Sequence, residues 1–244
     1  MISQIRAELL KIRSTRTTLG LLLGLIGLVL LFSLLTGLLT SEALLSVKEN
    51  QLSLVGDGTI AGVFSALAGI MLVTSEYRFG TIRPTFLFNP NRDRVFGSKI
   101  VAGAIAGFVF GVIAEGLVLL VGTIILSVRS IPFALSGGDL ALLLVGTLIG
   151  SALWGVIGVG LGAIIPNQVG AVIILLAWSF VAENIIFGLL PSVGRYLPVH
   201  AQDAMIGLAT PHLLGVGPGA AVLVAWTVVL DAAGLFLLLR RDVS

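Results

Sequence analysis

The chain has 244 residues, of which 57% are hydrophobic and only 11% are charged, and its mean hydropathy is +1.13. About a quarter of the residues of a soluble domain are charged, so this composition excludes a soluble globular protein and predicts that lipid surrounds most of the exterior. The absence of cysteine excludes disulfides and thiolate metal sites, and the net charge of +2, divided among short segments, does not indicate nucleic-acid binding.

Residues 1–17 are predicted to form a helix that lies in the membrane interface. Four apolar residues fall on one helical stripe: Ile2, Ile5, Leu9 and Ile12. Arg6 and Arg13 lie at the shoulder of this stripe, where long side chains reach lipid phosphates. A basic terminus that serves only as a topology signal is the alternative.

Runs of about 17–25 apolar residues predict membrane-spanning helices. Six such runs occur, at residues 19–39, 59–75, 100–128, 140–165, 169–190 and 219–239. The second run is short, because Asp57-Gly58 and Glu76 bound it on its two sides. The first is too long for the apolar region of a secretory signal, so it should remain as an anchor. We therefore expect an all-α polytopic membrane protein whose residues 1–244 form a single transmembrane domain.

Lysine and arginine are distributed unevenly between the two sides of these spans. One side holds eleven of the fourteen: Arg6, Lys11, Arg13, Arg16, Arg78, Arg83, Arg92, Arg94, Lys99, Arg240 and Arg241. The other side holds only Lys48, Arg129 and Arg195. Because cytoplasmic loops carry the excess of basic residues, we expect both termini and the loop of residues 76–99 to be cytoplasmic.

The loop of residues 76–99 has the most specific pattern in the chain. Gly80-Thr81 predicts the end of one helix and the start of another, in whose first turn Pro84 is tolerated. Asn89-Pro90 predicts the start of the helix that continues into the third span. The short element between them, Thr81 to Phe88, carries aromatic residues beside arginines, which favours docking onto another protein. An amphipathic connector facing lipid is the alternative.

Two motifs carry a resemblance to a known family. Residues 76–83, EYRFGTIR, followed by Pro90 and Arg92, resemble the loop after the second span of ABC-2 type transporter permeases. Residues 8–13, ELLKIR, resemble the start of that family. The resemblance implies an interfacial N-terminal helix and a coupling helix that is seated on a nucleotide-binding subunit. By resemblance, this contact would contain Glu76, Arg78, Gly80, Thr81, Arg83 and Phe86. The run Pro84-Thr85-Phe86 departs from the more continuous helix expected of the family.

The function implied by the resemblance is that of the membrane-spanning subunit of an ABC exporter. Such a subunit moves a hydrophobic or amphipathic substrate (a drug, lipid, peptide or natural product) across the bacterial plasma membrane by alternating access. It forms a homodimer, or a heterodimer with a similar permease, and contacts lipid. Transport would be driven by ATP hydrolysis on a cytoplasmic ABC ATPase subunit.

The sequence itself favours an ATPase on another subunit. A P-loop requires Gly-Lys-Ser/Thr, and the residues that follow Lys11, Lys48 and Lys99 are isoleucine, glutamate and isoleucine. We therefore expect no ATPase activity, cofactor or metal in this chain, with ATP and Mg²⁺ bound by the partner. His200 and His212 share one loop without a third ligand and are interpreted as two solvent-facing imidazoles.

Three acidic residues lie within predicted spans: Glu115, Glu183 and Asp231. A charge at this depth costs about 2.5–3.5 kcal/mol on insertion scales, so each should face protein or water. In the family, the second and fifth spans tend to line the cavity. That predicts a substrate cavity formed by Phe64, Trp178, Glu183 and Asn184. A hydrogen-bonded helix contact is the alternative for Glu115 and Asp231.

Smaller features concern packing and the segment before the last span. Gly103, Gly107 and Gly111 form one smooth helix face that permits close packing, within the chain or between two chains. Residues 191–218 combine four prolines with an apolar patch, which favours short helices dipping toward the membrane over surface coil. The resemblance also implies a re-entrant element here.

Two other functional classes remain as alternatives. An ATPase-independent secondary transporter or channel would transport under an ion gradient without a partner. A membrane-embedded enzyme is suggested by residues 57–61, DGTIA, which are similar to the start of a phosphatidyltransferase motif. However, Gly62 stands where that motif has arginine, and the downstream paired aspartates are missing.

Overall fold

Helices make up nearly all of the computed structural model, which describes residues 2–241. Six helical segments are long and apolar enough to cross a membrane: Arg16–Leu39, Lys48–Arg78, Arg92–Val128, Gly137–Ile164, Gln168–Leu189 and Val216–Arg240. No strand occurs within the described range. The predicted fold class is thus confirmed at the level of an all-α, multi-pass membrane protein.

Individual helices are labelled in chain order. The first half contains α1 (Ile2–Ser14), α2 (Arg16–Leu39), α3 (Glu42–Leu45), α4 (Lys48–Gly56), α5 (Ala61–Arg78), α6 (Ile82–Phe88) and α7 (Arg92–Val128). The second half contains α8 (Gly137–Ile164), α9 (Gln168–Ala177), α10 (Glu183–Leu189), α11 (Pro191–Gly194), α12 (Pro198–Met205) and α13 (Val216–Arg240). A 3₁₀ turn, Asp57–Ile60, joins α4 to α5, and a π-helical turn, Trp178–Ala182, joins α9 to α10.

The second spanning segment is longer than the sequence predicts. Asp57-Gly58 does not end it, because the 3₁₀ turn carries the helical path from α4 into α5. Gly58 lies against the side chain of Glu115 on α7, so tertiary packing holds this turn in place. Glu76 also lies inside α5 and not beyond its end. The resulting segment has 31 residues, and it is the most buried of the six.

Small residues allow α5, α7 and α8 to pack with their backbones in contact. A Cβ atom at Gly103 of α7 would lie 2.8 Å from the carbonyl oxygen of Gly155 on α8. A Cβ at Gly158 of α8 would lie 2.7 Å from the Cα of Ala66 on α5. The glycine face on α7 therefore packs within the chain, which was one of the two predicted uses for it.

Arginine side chains bind polar groups at both ends of the helical bundle. At one end, Arg92 Nη1 donates to the carbonyl oxygen of Leu238 at 2.9 Å, and Arg78 Nη1 donates to Gln168 Oε1 at 3.2 Å. We call this the basic end; it contains α1, the α5–α7 connection and the C-termini of α8 and α13. At the opposite end, Arg129 Nη1 donates to the carbonyl oxygens of Gly37 and Thr40, each at 2.7 Å. Arg92 and Arg129 satisfy backbone carbonyls that helix C-termini leave without intrahelical partners.

The segment of residues 191–218 contains the two short helices α11 and α12. Each begins with a proline in its first turn, where the missing N–H is not needed. α12 is largely buried and packs against α13 and α8. The prolines therefore mark helix starts at the end of the molecule opposite the basic end.

Candidate functional site

Four charged side chains meet inside the basic end, and we call them the buried charge cluster: Glu8, Lys11, Glu76 and Lys99. Lys99 Nζ lies 2.8 Å from Glu76 Oε1 and 3.1 Å from Glu8 Oε2. Lys11 Nζ lies 2.6 Å from Glu76 Oε1 and 2.9 Å from Glu8 Oε1. Each ammonium group thus bridges the same two carboxylates.

Three members of the cluster are almost completely buried. Lys99 and Glu76 are each 3% exposed, and Glu8 is 4% exposed. Lys99 Nζ also donates to the carbonyl oxygen of Leu72 at 2.8 Å. Buried charges are tolerated when they are paired and hydrogen-bonded, and here two carboxylates meet two ammonium groups. Since the members come from α1, α5 and α7, the cluster joins these three helices at one point.

Lys11 completes the cluster from its exposed edge, outside the spanning segments. Burial lowers the pKa of Lys11, but hydrogen bonds and charge from Glu76 and Glu8 outweigh this effect. The net result is a pKa of Lys11 above its usual value of 10.5. The ammonium form is therefore stabilised, which keeps the cluster electrically balanced.

The chain leaves α5 immediately beyond the cluster through a defined turn. Gly80 has φ of +68°, a left-handed conformation that glycine adopts without steric cost. Thr81 N donates to the carbonyl oxygen of Glu76 at 2.9 Å, and Gly80 N donates to that of Tyr77 at 3.3 Å. This pair of hydrogen bonds is a Schellman motif. The turn directs the chain away from the α5 axis and into α6.

α6 presents apolar side chains to the outside of the molecule. Ile82 anchors its first turn in the protein interior. Arg92 at the start of α7 lies over the ring of Phe86, 5.0 Å from the centroid. Leu87 and Phe88, at the end of α6, are 84% and 92% exposed. The connection between α5 and α7 therefore ends in an exposed apolar pair on a helix whose base is fixed.

Most residues of the predicted docking set lie on this surface. Arg78, Gly80, Thr81 and Arg83 are exposed, and Phe86 is half-buried. Glu76 requires a correction, because its buried carboxylate accepts from both cluster lysines. It holds the base of the connection and offers no surface to a separate subunit. Asn91 precedes α7, which begins at Arg92, two residues after the predicted Asn89-Pro90 start.

The predicted substrate cavity agrees with the structure only in part. A cavity of about 230 Å³ lies between the 3₁₀ turn, α8, the π-helical turn and α12, and Asn184 lines it. Glu183 is buried beside it, and its Oε2 accepts from Val199 N at 2.8 Å. Phe64 is instead packed against α2, where a Cβ at Gly24 would lie 3.2 Å from its Cε1. Trp178 is exposed on the outer surface of its span.

Several polar residues of this cavity were not selected from the sequence. They are Asp57, Thr59, Trp154, Ser179, Gln202 and Asp203. The available signal was the polar character of Asp57 beside an apolar run, which was interpreted as a span boundary. The π-helical turn that brings Ser179 into the wall has no recognisable sequence pattern.

The two histidines occupy different environments. His212 is exposed, as predicted. His200 is buried and stacks on Phe187 with ring centroids 4.1 Å apart, so its predicted exposure is wrong. Within residues 2–241, no three His, Asp or Glu side chains are close enough to hold a metal ion.

By fold, the protein belongs to the class of all-helical, multi-pass membrane proteins. No protein-family model matches the chain, and no curated protein matches it. Any more specific function has to be argued from its own residues.

Proposed function

We propose that this chain is the membrane-spanning subunit of an ATP-driven ABC exporter and that a separate nucleotide-binding subunit docks at the basic end. The observation that carries the proposal is α6, with Leu87 and Phe88 exposed at its tip. Its N-terminal part belongs to the run of residues 76–83 that resembles ABC-2 type permeases. An exposed apolar pair near arginines has the composition of a protein contact.

The attachment of α6 suits the transmission of force. A short helix on two flexible linkers would absorb a push without moving the spans. α6 instead follows the Schellman motif of α5 and precedes α7 by three residues, Asn89 to Asn91. The buried charge cluster fixes α5 and α7 to each other and to α1. A displacement of α6 by a partner therefore displaces two spans and the N-terminal helix together.

The proposed orientation places the basic end and both termini in the cytoplasm, following the bias of lysine and arginine. There, ATP and Mg²⁺ are bound by the partner subunit, and α1 lies along the membrane interface. Two permease chains, identical or similar, enclose the transport pathway in the bacterial plasma membrane. The substrate is hydrophobic or amphipathic, and its export proceeds by alternating access.

The test is a double variant at the tip of α6, Leu87→Ser with Phe88→Ser. The partner to test is a Walker-motif protein, which the proposal expects to be encoded beside this chain's gene. We expect the variant to be produced and folded as the wild type, since both side chains are exposed, but to lose co-purification with the ATPase and transport-stimulated ATP hydrolysis. The matched control is Leu189→Ser with Leu190→Ser, an exposed apolar pair at the opposite end. Wild-type coupling in the α6 variant would refute the docking proposal.

A second candidate, an ion-driven transporter, is favoured by the buried carboxylates of Glu115 and Asp231. None of their oxygens has a hydrogen-bond partner in the described part of the chain. Buried carboxylates of this kind serve as proton or ion relays in transporters. The purified chain in liposomes distinguishes the two candidates: the exporter proposal expects no transport under an ion gradient alone.

A further inference from the structure

The cavity beside the π-helical turn has a polar wall in a region that is otherwise apolar. It lies on the side of the molecule that contains α12, away from the basic end. Its polar lining residues are Asp57, Thr59, Trp154, Ser179, Asn184, Gln202 and Asp203. At about 230 Å³, it is slightly smaller than the pockets that bind drug-sized ligands.

Several polar atoms at this cavity are buried without hydrogen-bond partners. They include Asp57 Oδ2, Trp154 Nε1 and Ser179 Oγ, judged against residues 2–241. Trp154 and Ser179 are each only 2% exposed. Buried polar groups in native proteins are nearly always hydrogen-bonded, because an unmade bond is costly. Three such atoms at a single cavity leave hydrogen-bonding capacity that a polar ligand would satisfy.

The charge of the wall selects a cation. Asp57 and Asp203 line the cavity, and Glu183 lies directly behind Val199 with its Oε1 unpartnered. No lysine or arginine is among the described lining residues. A basic group that contacts the wall is His200, whose Nδ1 lies 3.7 Å from Asp203 Oδ2.

The remaining wall defines the rest of the ligand. Trp154 Nε1 is a donor only, so the ligand must also carry an oxygen or nitrogen acceptor. The side chains of Ile60, Val63 and Phe180 supply an apolar surface. The aromatic ring of Phe180 also attracts a neighbouring ammonium group.

The backbone around the cavity shows the irregularity typical of functional sites. The π-helical turn Trp178–Ala182 places Ser179 and Phe180 in the wall. Asn184 Nδ2 donates to the carbonyl oxygens of these two residues, at 3.3 and 3.2 Å. Such turns interrupt α-helices mostly as single turns, frequently at functional sites.

We propose that this cavity binds a small organic ammonium compound that also carries a hydroxyl group and an apolar group. Asp57 binds the ammonium group, Trp154 Nε1 donates to the hydroxyl oxygen, and Ile60 and Phe180 pack against the apolar part. The proposal depends on the geometry of this chain alone and holds whether or not an ATPase drives it. Its failure would leave the docking proposal at α6 untouched.

The first experiment is calorimetric titration of the purified full-length chain in an uncharged detergent with three matched probes. The probe 2-amino-1-phenylethanol has all three groups, 1-phenyl-1,2-ethanediol lacks the amine, and 2-phenylethylamine lacks the hydroxyl. We expect the first to bind about tenfold more tightly than either of the others, or more, since each loses one hydrogen-bonded group. Equal affinity for the amino alcohol and the diol would overturn the proposal.

The second experiment assigns the groups to residues. Asp57→Asn should weaken binding of the amino alcohol by about tenfold or more and leave the diol unchanged. Trp154→Phe should abolish the advantage of the amino alcohol over phenylethylamine. Asp93→Asn and Trp226→Phe are the matched controls, because they make the same changes away from the cavity. Unchanged amino-alcohol affinity in Asp57→Asn would contradict the assignment. If a variant does not fold, the comparison of the three probes on the wild-type chain still tests whether the cavity requires the amine and the hydroxyl.

Discussion

Two sets of buried ionisable side chains in this protein differ in whether they are paired. In the buried charge cluster, every charged group has an opposite charge within 3.1 Å. The carboxylates of Glu115 and Asp231 have no hydrogen-bond partner in residues 2–241. Paired charges join helices, whereas unpaired ones retain the capacity to bind a proton or a ligand. Burial of a charge within a membrane protein therefore does not by itself define its role.

The largest effect is expected from removing the central cation of the cluster. Lys99→Met leaves two buried carboxylates with Lys11 alone, and breaking a buried ion pair in this way costs about 3–5 kcal/mol. We expect that loss in the free energy of unfolding, measured by chemical unfolding in detergent micelles. Lys48→Met is the matched control, since its ion pair with Asp139 is at the surface. Similar losses in the two variants would show that the cluster does not join the helices.

A smaller effect is expected from Glu76→Gln. Lys99 keeps its contact with Glu8 in this variant, so only the bonds to Glu76 are weakened. Hydrogen bonds to charged groups contribute about 1.5–3 kcal/mol, and we expect a loss of unfolding free energy in that range. The same unfolding measurement provides the check. A loss as large as that of Lys99→Met would contradict an arrangement in which Lys99 binds both Glu8 and Glu76.

The cluster also predicts a pH dependence through Lys11. The pKa of Lys11 is raised in the folded state, so its contribution is fully present below 10.5 and is lost as pH rises through the higher folded-state value. The difference in melting temperature between wild type and Lys11→Met should be constant below pH 10.5 and should shrink above it. A difference that grows with alkaline pH would have the wrong sign for this arrangement.

The smallest effect is expected from the two buried carboxylates without partners in residues 2–241, Glu115 and Asp231. Asp231→Asn and Glu115→Gln remove no partner found in the described chain. Unfolding free energies should therefore change by less than about 1 kcal/mol. Losses comparable to that of Lys99→Met would remove the distinction between paired and unpaired buried groups.

Features that depend on one segment at a time were predictable from the sequence. Apolar run length predicted six spanning segments, and Gly80-Thr81 predicted the break between α5 and α6. The glycine spacing on α7 predicted a close helix contact. Each of these follows from local composition or from the conformational limits of a single residue.

Features that depend on how segments pack were not predictable in the same way. Lys99 and Glu8 are 91 positions apart, and their contact requires specific rotations of α1 and α7. Asp57-Gly58 has the composition of a turn, yet packing against Glu115 holds it in a helical path. The motif of residues 76–83 predicted that Glu76 contacts a partner subunit. The two lysines that bind Glu76 lie 65 and 23 positions away in the sequence, so their contact with it was not predictable. The cavity wall was not predictable for the same reason, since its residues come from six elements.

The π-helical turn sets the direction of the side chains that follow it. Such a turn accommodates one residue more than a regular helix, and each residue rotates an α-helix by about 100°. If the turn Trp178–Ala182 became a regular helix with all its residues kept, Glu183 and Asn184 would be rotated by about this angle. They would then turn away from Val199 and from the cavity wall, with their own side chains unaltered. The backbone of a single turn thus orients this site as much as its residue types do.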